Sequence, residues 1–244
     1  MMVSTAASTV AELGVDEVFS CPEESTFYAL CLRSLVFARS EPPRTVVEFG
    51  AGDGAPVIEA VRASRFQGSI RGFELSAAAC QVANHNIKLS GLRRRYAVEH
   101  DSFFARPAPD ANCLIANPPY LPAPDRDIRM PLLYAGEDGT LVTNALLSMS
   151  YDRVLLMISS YSNPAGSLRH AAMHGYAVSG FMLAPLIFGI YSSEPKVRRH
   201  IEMLKETNRA FYCEDMYLLA GVLFDRRAIA DLSAPLINIM TALR

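Results

Sequence analysis

The chain has 244 residues, 50% hydrophobic and 20% charged; this is the make-up of a domain that buries a full core, and it excludes a disordered or low-complexity segment. With 25 acidic and 23 basic residues the net charge is -2, so no overall field draws the chain to a polyanion, and any nucleic-acid contact has to be local. Five cysteines, Cys21, Cys31, Cys80, Cys113 and Cys213, lie scattered without a C-x-x-C pair, which argues against a disulfide framework or a zinc knuckle and for reduced, buried thiols.

The opening "MMVSTAASTV" has neither a positive flank nor a long apolar core, unlike a secretory signal. "STFYALCLRSLVFARS", residues 25–40, reads as an amphipathic helix entered through "CPEES" and packed over or beside the carboxyl edge of a sheet. From Thr45 short β-rich runs alternate with helical stretches, the pattern of an α/β fold. The predicted strands are 45–49, 69–74, 96–100, 112–117, 153–159, 176–183 and 216–224. Between the second and third, Cys80, Ala83 and Ile87 recur at helical spacing, with Ser76 placed as the N-cap and Gly91 as the stop. Val197, Ile201 and Leu204 form a narrow apolar stripe among Lys196, Arg198, Arg199, Glu202 and Lys205, which predicts an exposed helix near 190–210. The longest apolar run, "GFMLAPLIFGIY", is too short for a bilayer, which takes roughly 20 residues. The expected organisation is an N-terminal tail and lid-like helix over 1–44, a catalytic domain over 45–224 and a tail over 225–244, in a soluble cytoplasmic protein.

"EFGAGDGA" follows the first strand and leads into a helix. Gly50, Gly52 and Gly54 permit positive φ and let backbone approach a ligand, as in loops that bind adenosine-containing cofactors. Glu74 closes the second strand, where a carboxylate accepts the two ribose hydroxyls. The loop by itself also fits the fingerprint of nicotinamide enzymes. After the third strand, "HDSFF" offers Asp101 and its neighbouring amides to an adenine amino group, with Phe103 or Phe104 to line the base; a helix cap and two core rings is the plainer alternative. The fourth strand ends in "NPPY". There the Asn117 amide oxygen and the Pro118 carbonyl are two acceptors for one amino group, the prolines stiffen the turn, and Tyr120 offers a face for stacking a planar group.

Taken in order, "EFGAGDG", "FELS", "HDSFF" and "NPPY" resemble the class I S-adenosylmethionine-dependent methyltransferases that act on planar amide or amine nitrogens, a set that includes protein-glutamine and N6-adenine methyltransferases. "VFSCPEESTFYAL" and "LYAGEDG" bring the chain nearest to the HemK-like protein-glutamine enzymes, over roughly Val18 to Phe224. The resemblance implies a Rossmann-like, doubly wound, seven-stranded, mostly parallel sheet with the last strand antiparallel. It implies S-adenosylmethionine as cofactor, held by Pro22, Ser25, Thr26, Glu48, Gly50, Gly52, Gly54, Glu74, Leu75, Asp101, Ser102, Phe103 and Asn117. Of these the glycines would lie along the methionine moiety, Glu74 at the ribose, Asp101 with Ser102 at the adenine, and Pro22 and Ser25 or Thr26 over the methionine end. Asn117, Pro118 and Tyr120 would be the catalytic residues that hold the acceptor.

The departures bear on the substrate. The bacterial release-factor enzymes carry an N-terminal helical domain that grips the protein substrate, and the first predicted strand here already begins at Thr45. His100 stands where the family has glycine before the aspartate, and Ala135 replaces the first glycine of "GGEDG". The acceptor is therefore expected to be a small molecule or a protein glutamine. A second enzyme reading makes S-adenosylmethionine the substrate, closed to azetidine-2-carboxylic acid and methylthioadenosine, with Tyr120, Tyr134 or Tyr28 facing the sulfonium. Adenine methylation of nucleic acid is a third, for which Arg93–Arg95 and "KVRRH" are the basic clusters; solvated turns and helix faces account for both. No metal is assigned: His170 and His174, at i and i+4, are read as surface or packed residues, and the other histidines show no ligand spacing.

Overall fold

A computed structural model describes residues 21–105 and 110–243; the expected tail over the first 20 residues lies outside them. The chain divides into two compact units, one ending at Ala116 and one beginning at Asn117.

In the first unit, helix α1 (Pro22–Cys31) begins on a proline with Glu23 and Glu24 in its first turn, both favourable at a helix N-terminus. It starts earlier than the sequence suggests, so "PEES" is helical rather than a lead-in. The helix widens into a π-turn over Leu32–Phe37. Its buried residues, Phe27, Tyr28, Cys31, Leu32, Val36 and Phe37, face α2 (Ala55–Arg62), which makes it a packed layer. Four strands follow in the order β3 (Tyr96–His100), β2 (Ser69–Glu74), β1 (Thr45–Phe49), β4 (Cys113–Ala116), all parallel. All four residues of β4 are buried, as expected of a strand covered on both faces. Helix α3 (Ala77–Leu89) is capped as predicted: the Ser76 hydroxyl accepts from the Ala79 amide at 3.2 Å. At its other end Gly91 (φ +71) donates to the Lys88 carbonyl and Leu92 to the Ile87 carbonyl, both at 3.1 Å, a Schellman stop.

In the second unit, α4 (Leu141–Leu147), β5 (Arg153–Ser159) and α5 (Pro164–Met173) precede a long β6 (Ala177–Ile187), α6 (Pro195–Glu206), a two-residue β7 (Tyr212–Cys213), β8 (Met216–Asp225) and α7 (Ser233–Met240). Strand β8 runs antiparallel to β5, β6 and β7. The seven expected strands are present among the described residues, with the last long one antiparallel, and β7 is an eighth. β6 is longer than predicted because its pairing with β8 continues to Ile187–Met216, with a bulge between Val178 and Gly180. Pro185 is tolerated there because no strand of this unit pairs with the other side of β6. The stripe of α6 is as predicted: Val197, Ile201 and Leu204 are buried. Residues 225–244, read from sequence as a tail, contain α7, whose Leu236 and Met240 are buried. No helix among the described residues is long and apolar enough to cross a membrane.

Candidate active site

The first unit carries the candidate cofactor residues. Parallel pairing puts Phe49 beside Phe73 and Glu74 beside His100, so the motifs after β1, β2 and β3 leave the same edge of the sheet. Gly50, Gly52 and Gly54 have φ of +67, +56 and +73, the left-handed region that glycine enters at little cost. Among the described residues, a Cβ at Gly50 or Gly52 would meet nothing within 4 Å, so these leave open space at the two positions. At Gly54 a Cβ would sit in ordinary contact with Tyr96 and Ala83 at 3.5 Å.

Glu74 is brought to the loop. One carboxylate oxygen accepts from the Gly52 amide at 2.8 Å and the other from the Ser76 amide at 2.9 Å. Each oxygen keeps a lone pair for a further donor. Beneath the loop lies a group that the sequence reading did not connect. Glu48, 2% exposed, accepts from the Tyr96 hydroxyl at 2.5 Å. Burial pushes its carboxyl up to about 8, partly countered by the Tyr96 bond, with the charges of Glu74 and Asp53 adding to the rise. The Tyr28 hydroxyl is buried without a hydrogen-bond partner among the described residues. Its pKa is raised well above the ordinary value by burial first and by the charge of Glu48 second. Glu48, expected to touch the cofactor, is buried in this structure and bonded to Tyr96. The signal for its partner was Tyr96 itself, a phenol that opens β3.

Asp101 accepts from the Ser102 amide at 2.8 Å. The two phenylalanines separate. Phe103 is 2% exposed and meets Phe49 and Phe73 edge-on, each with centroids 5.6 Å apart. Phe103 is therefore core, a correction to its expected place on the base, and Phe104, 46% exposed, is the ring left open. Leu75 is exposed, and its carbonyl accepts from His100 Nε2 at 3.1 Å. Pro22 and Thr26 are exposed and Ser25 half-buried on the first turns of α1.

The second unit opens on "NPPY". The Asn117 amide oxygen is buried and has no hydrogen-bond partner among the described residues. Pro118 is buried, and Tyr120 is 8% exposed with Tyr161 meeting it edge-on at 5.9 Å. Tyr161 continues into Phe188 and Tyr217 at 5.2 and 4.8 Å. Tyr120 is thus buried in this structure, where the sequence reading expected an open stacking face. Tyr134 lies under the Arg126 guanidinium at 5.6 Å.

A latch that the sequence reading missed holds the chain after Asn117. The Tyr120 carbonyl accepts from Ser162 Oγ at 2.6 Å. The amides of Leu121, Ala123 and Ala135 bond to the carbonyls of Leu133, Gly136 and Leu121 at 3.3, 3.2 and 3.0 Å. Asp138 accepts from Thr140 Oγ1 at 2.7 Å and Asn163 Nδ2 at 2.6 Å. Burial raises the Asp138 pKa, but bonds from Asn163 and Thr140 and the charge of Arg209 together hold it below the ordinary carboxylate value. Gly139 (φ +78) passes so close that a Cβ there would lie 2.6 Å from the Tyr120 carbonyl oxygen. The quoted "GEDG" was the available signal for this latch; Ser162 had none.

Of the basic clusters, Arg95 donates to the Phe66 carbonyl at 2.8 Å and Arg198 stacks on Phe188 at 4.2 Å. Both side chains serve packing.

No family model matches the chain. It is 33% identical over 135 residues to the release factor glutamine methyltransferase of Deinococcus radiodurans, a stretch that is 52% of this chain and 47% of the relative. The chain thus spans about half the length of the curated relative it matches. Among solved structures, M. jannaschii TYW2 in complex with AdoMet superposes with a TM-score of 0.52 at 15% identity, covering 87% of this chain and 80% of the other. The Pyrococcus horikoshii protein PH1948 gives 0.55 at 11%, covering 90% and 97%. The [4+2]-cyclase SpnF gives 0.50 at 12%, covering 83% and 80%. These likenesses show the Rossmann-like fold of the class I methyltransferases, and the resemblance to a HemK-type enzyme is borne out. A cyclase on the same fold means that the fold does not fix the reaction.

Proposed function

We propose that this chain is a cytoplasmic S-adenosylmethionine-dependent N-methyltransferase acting on a planar amide or amine nitrogen, of a protein glutamine or of a small molecule. The observation that carries the reading is the Asn117 amide oxygen, buried and without a partner among the described residues. A buried acceptor left unpaired costs about 1–3 kcal/mol, a cost that an N–H donor from an acceptor substrate removes. The open space over Gly50 and Gly52 supports a ligand at the loop, and the named activity of the partial relative supports glutamine as one acceptor.

In this reading Gly50, Gly52 and Gly54 run along the methionine moiety, and Glu74 takes the ribose hydroxyls with the lone pairs that Gly52 and Ser76 leave. Asp101 and Ser102 meet the adenine, Phe104 and Leu75 supply its apolar surface, and Pro22, Ser25 and Thr26 cover the methionine end. The bound cofactor supplies a methyl group already activated on a sulfonium. The protein's task is then to orient the acceptor nitrogen. Asn117 and the Pro118 carbonyl accept its two hydrogens, which localises a lone pair that amide resonance would otherwise spread. Each bond contributes about 1 kcal/mol net, and more where it tightens only in the transition state. Tyr120 keeps that turn in place through its latched carbonyl.

The test is mass spectrometry of purified protein with S-adenosylmethionine, first by itself and then with a release factor or small amides. Methylated product with S-adenosylhomocysteine, dependent on the acceptor, supports methyl transfer. Methylthioadenosine accumulating without an acceptor, and lost in Asn117→Ala, replaces the reading with cyclisation of the cofactor. Retention of full activity by Asn117→Ala removes the acceptor assignment.

A further inference from the structure

His170 and His174 have no part in the proposed active site, yet the structure arranges them as a pair. They lie one turn apart at the end of α5, their rings stacked at 4.2 Å between centroids and 27° between planes. Both Nε2 atoms converge on one atom, Ser148 Oγ, at 2.9 Å from His170 and 3.3 Å from His174.

His174 Nδ1 lies 2.9 Å from the His170 carbonyl oxygen, which can only accept. Nδ1 therefore carries the proton, and Nε2 of the neutral ring holds a bare lone pair. Ser148 has one hydroxyl hydrogen, and the Asn144 carbonyl competes for it at 2.9 Å. A hydroxyl turned to Asn144 leaves the His174 lone pair without a donor.

We infer that His170 and His174 form a two-nitrogen chelate for a borderline-soft divalent transition ion such as Ni2+, Cu2+ or Zn2+, held between their Nε2 atoms. Residues at i and i+4 share one face of a helix, and neutral imidazole is a preferred ligand for these ions at ~2.0–2.1 Å. Among the described residues no third His, Cys, Asp or Glu completes a larger group, so the remaining positions go to water, with the Ser148 hydroxyl the nearest protein oxygen. Arg226 donates to the His174 carbonyl at 2.8 Å, and its charge opposes the ion; binding rests on the chelate rather than on a local negative field.

The test is calorimetric titration of untagged protein with nickel chloride near neutral pH, together with the thermal midpoint with and without nickel. A saturable site of one ion per chain is expected, weakened at least about tenfold in His170→Gln and in His174→Gln because each leaves one ligand of two. Ser148→Ala is expected to bind as tightly as wild type or more so. Nickel should raise the midpoint of wild type and of Ser148→Ala but not of the histidine variants. Equal affinity in wild type and both histidine variants, or no saturable binding below about 1 mM, overturns the inference.

Discussion

Glu48→Gln should flatten the dependence of stability on pH. The carboxyl of Glu48 is raised from an ordinary 4.5 to about 8 by burial, and it is 2% exposed, so solvent screening takes little from the effect. Between those two values the folded chain keeps Glu48 protonated while the unfolded chain ionises it. The unfolded state then binds fewer protons, and stability falls as pH rises. The slope for one group approaches ~1.4 kcal/mol per pH unit. Across the span from 4.5 to about 8 the sum is on the order of 5 kcal/mol. Glutamine is neutral at every pH and keeps a carbonyl for the Tyr96 hydroxyl, so it mimics the protonated acid. Urea denaturation of wild type and variant at half-unit steps through this window measures the difference directly, and subtraction cancels the histidines common to both. The variant should match wild type at the acid end and exceed it increasingly toward the alkaline end. Parallel curves would show that Glu48 is ionised in the folded protein and that burial does not govern it.

Asn117→Ala should abolish turnover while leaving cofactor affinity near wild type, and its urea midpoint should not fall, since the change removes an unsatisfied buried acceptor worth about 1–3 kcal/mol; a midpoint well below wild type would show that the amide oxygen has a structural partner. Gly52→Ala should cost only about 1–2 kcal/mol of stability, the strain of a left-handed alanine, because no described residue lies within 4 Å of the new Cβ. The same variant should lose S-adenosylmethionine binding in equilibrium dialysis, and unchanged binding would clear the loop of that role. Gly139→Ala combines the same strain with a Cβ 2.6 Å from the Tyr120 carbonyl oxygen, so its denaturation midpoint should fall well below that of Gly52→Ala. Equal midpoints for the two would refute the latch.

Much of the fold is written in local pattern. Ser76 and Gly91 bracket α3 as their chemistry requires, the three glycines take the positive φ that motivated their reading, and the α6 stripe at Val197, Ile201 and Leu204 buries as its spacing demands. These features depend on residues within a few positions of one another, where hydrophobic periodicity and backbone freedom act directly. The order of the four motifs along the chain carried the family resemblance in the same way. Tertiary structure decided which residues answer one another across long separations. Parallel register brings Tyr96 to Glu48, while burial of that carboxyl raises its pKa against the Tyr96 bond. Packing sends Phe103 into the core and leaves Phe104 outside. Ser162 reaches the Tyr120 carbonyl from 42 residues away, and Ser148 meets two histidines on the next helix. Sequence spacing sets the period and the ends of an element, whereas the partner of a buried polar group is chosen by strand register and helix docking, which no local window contains.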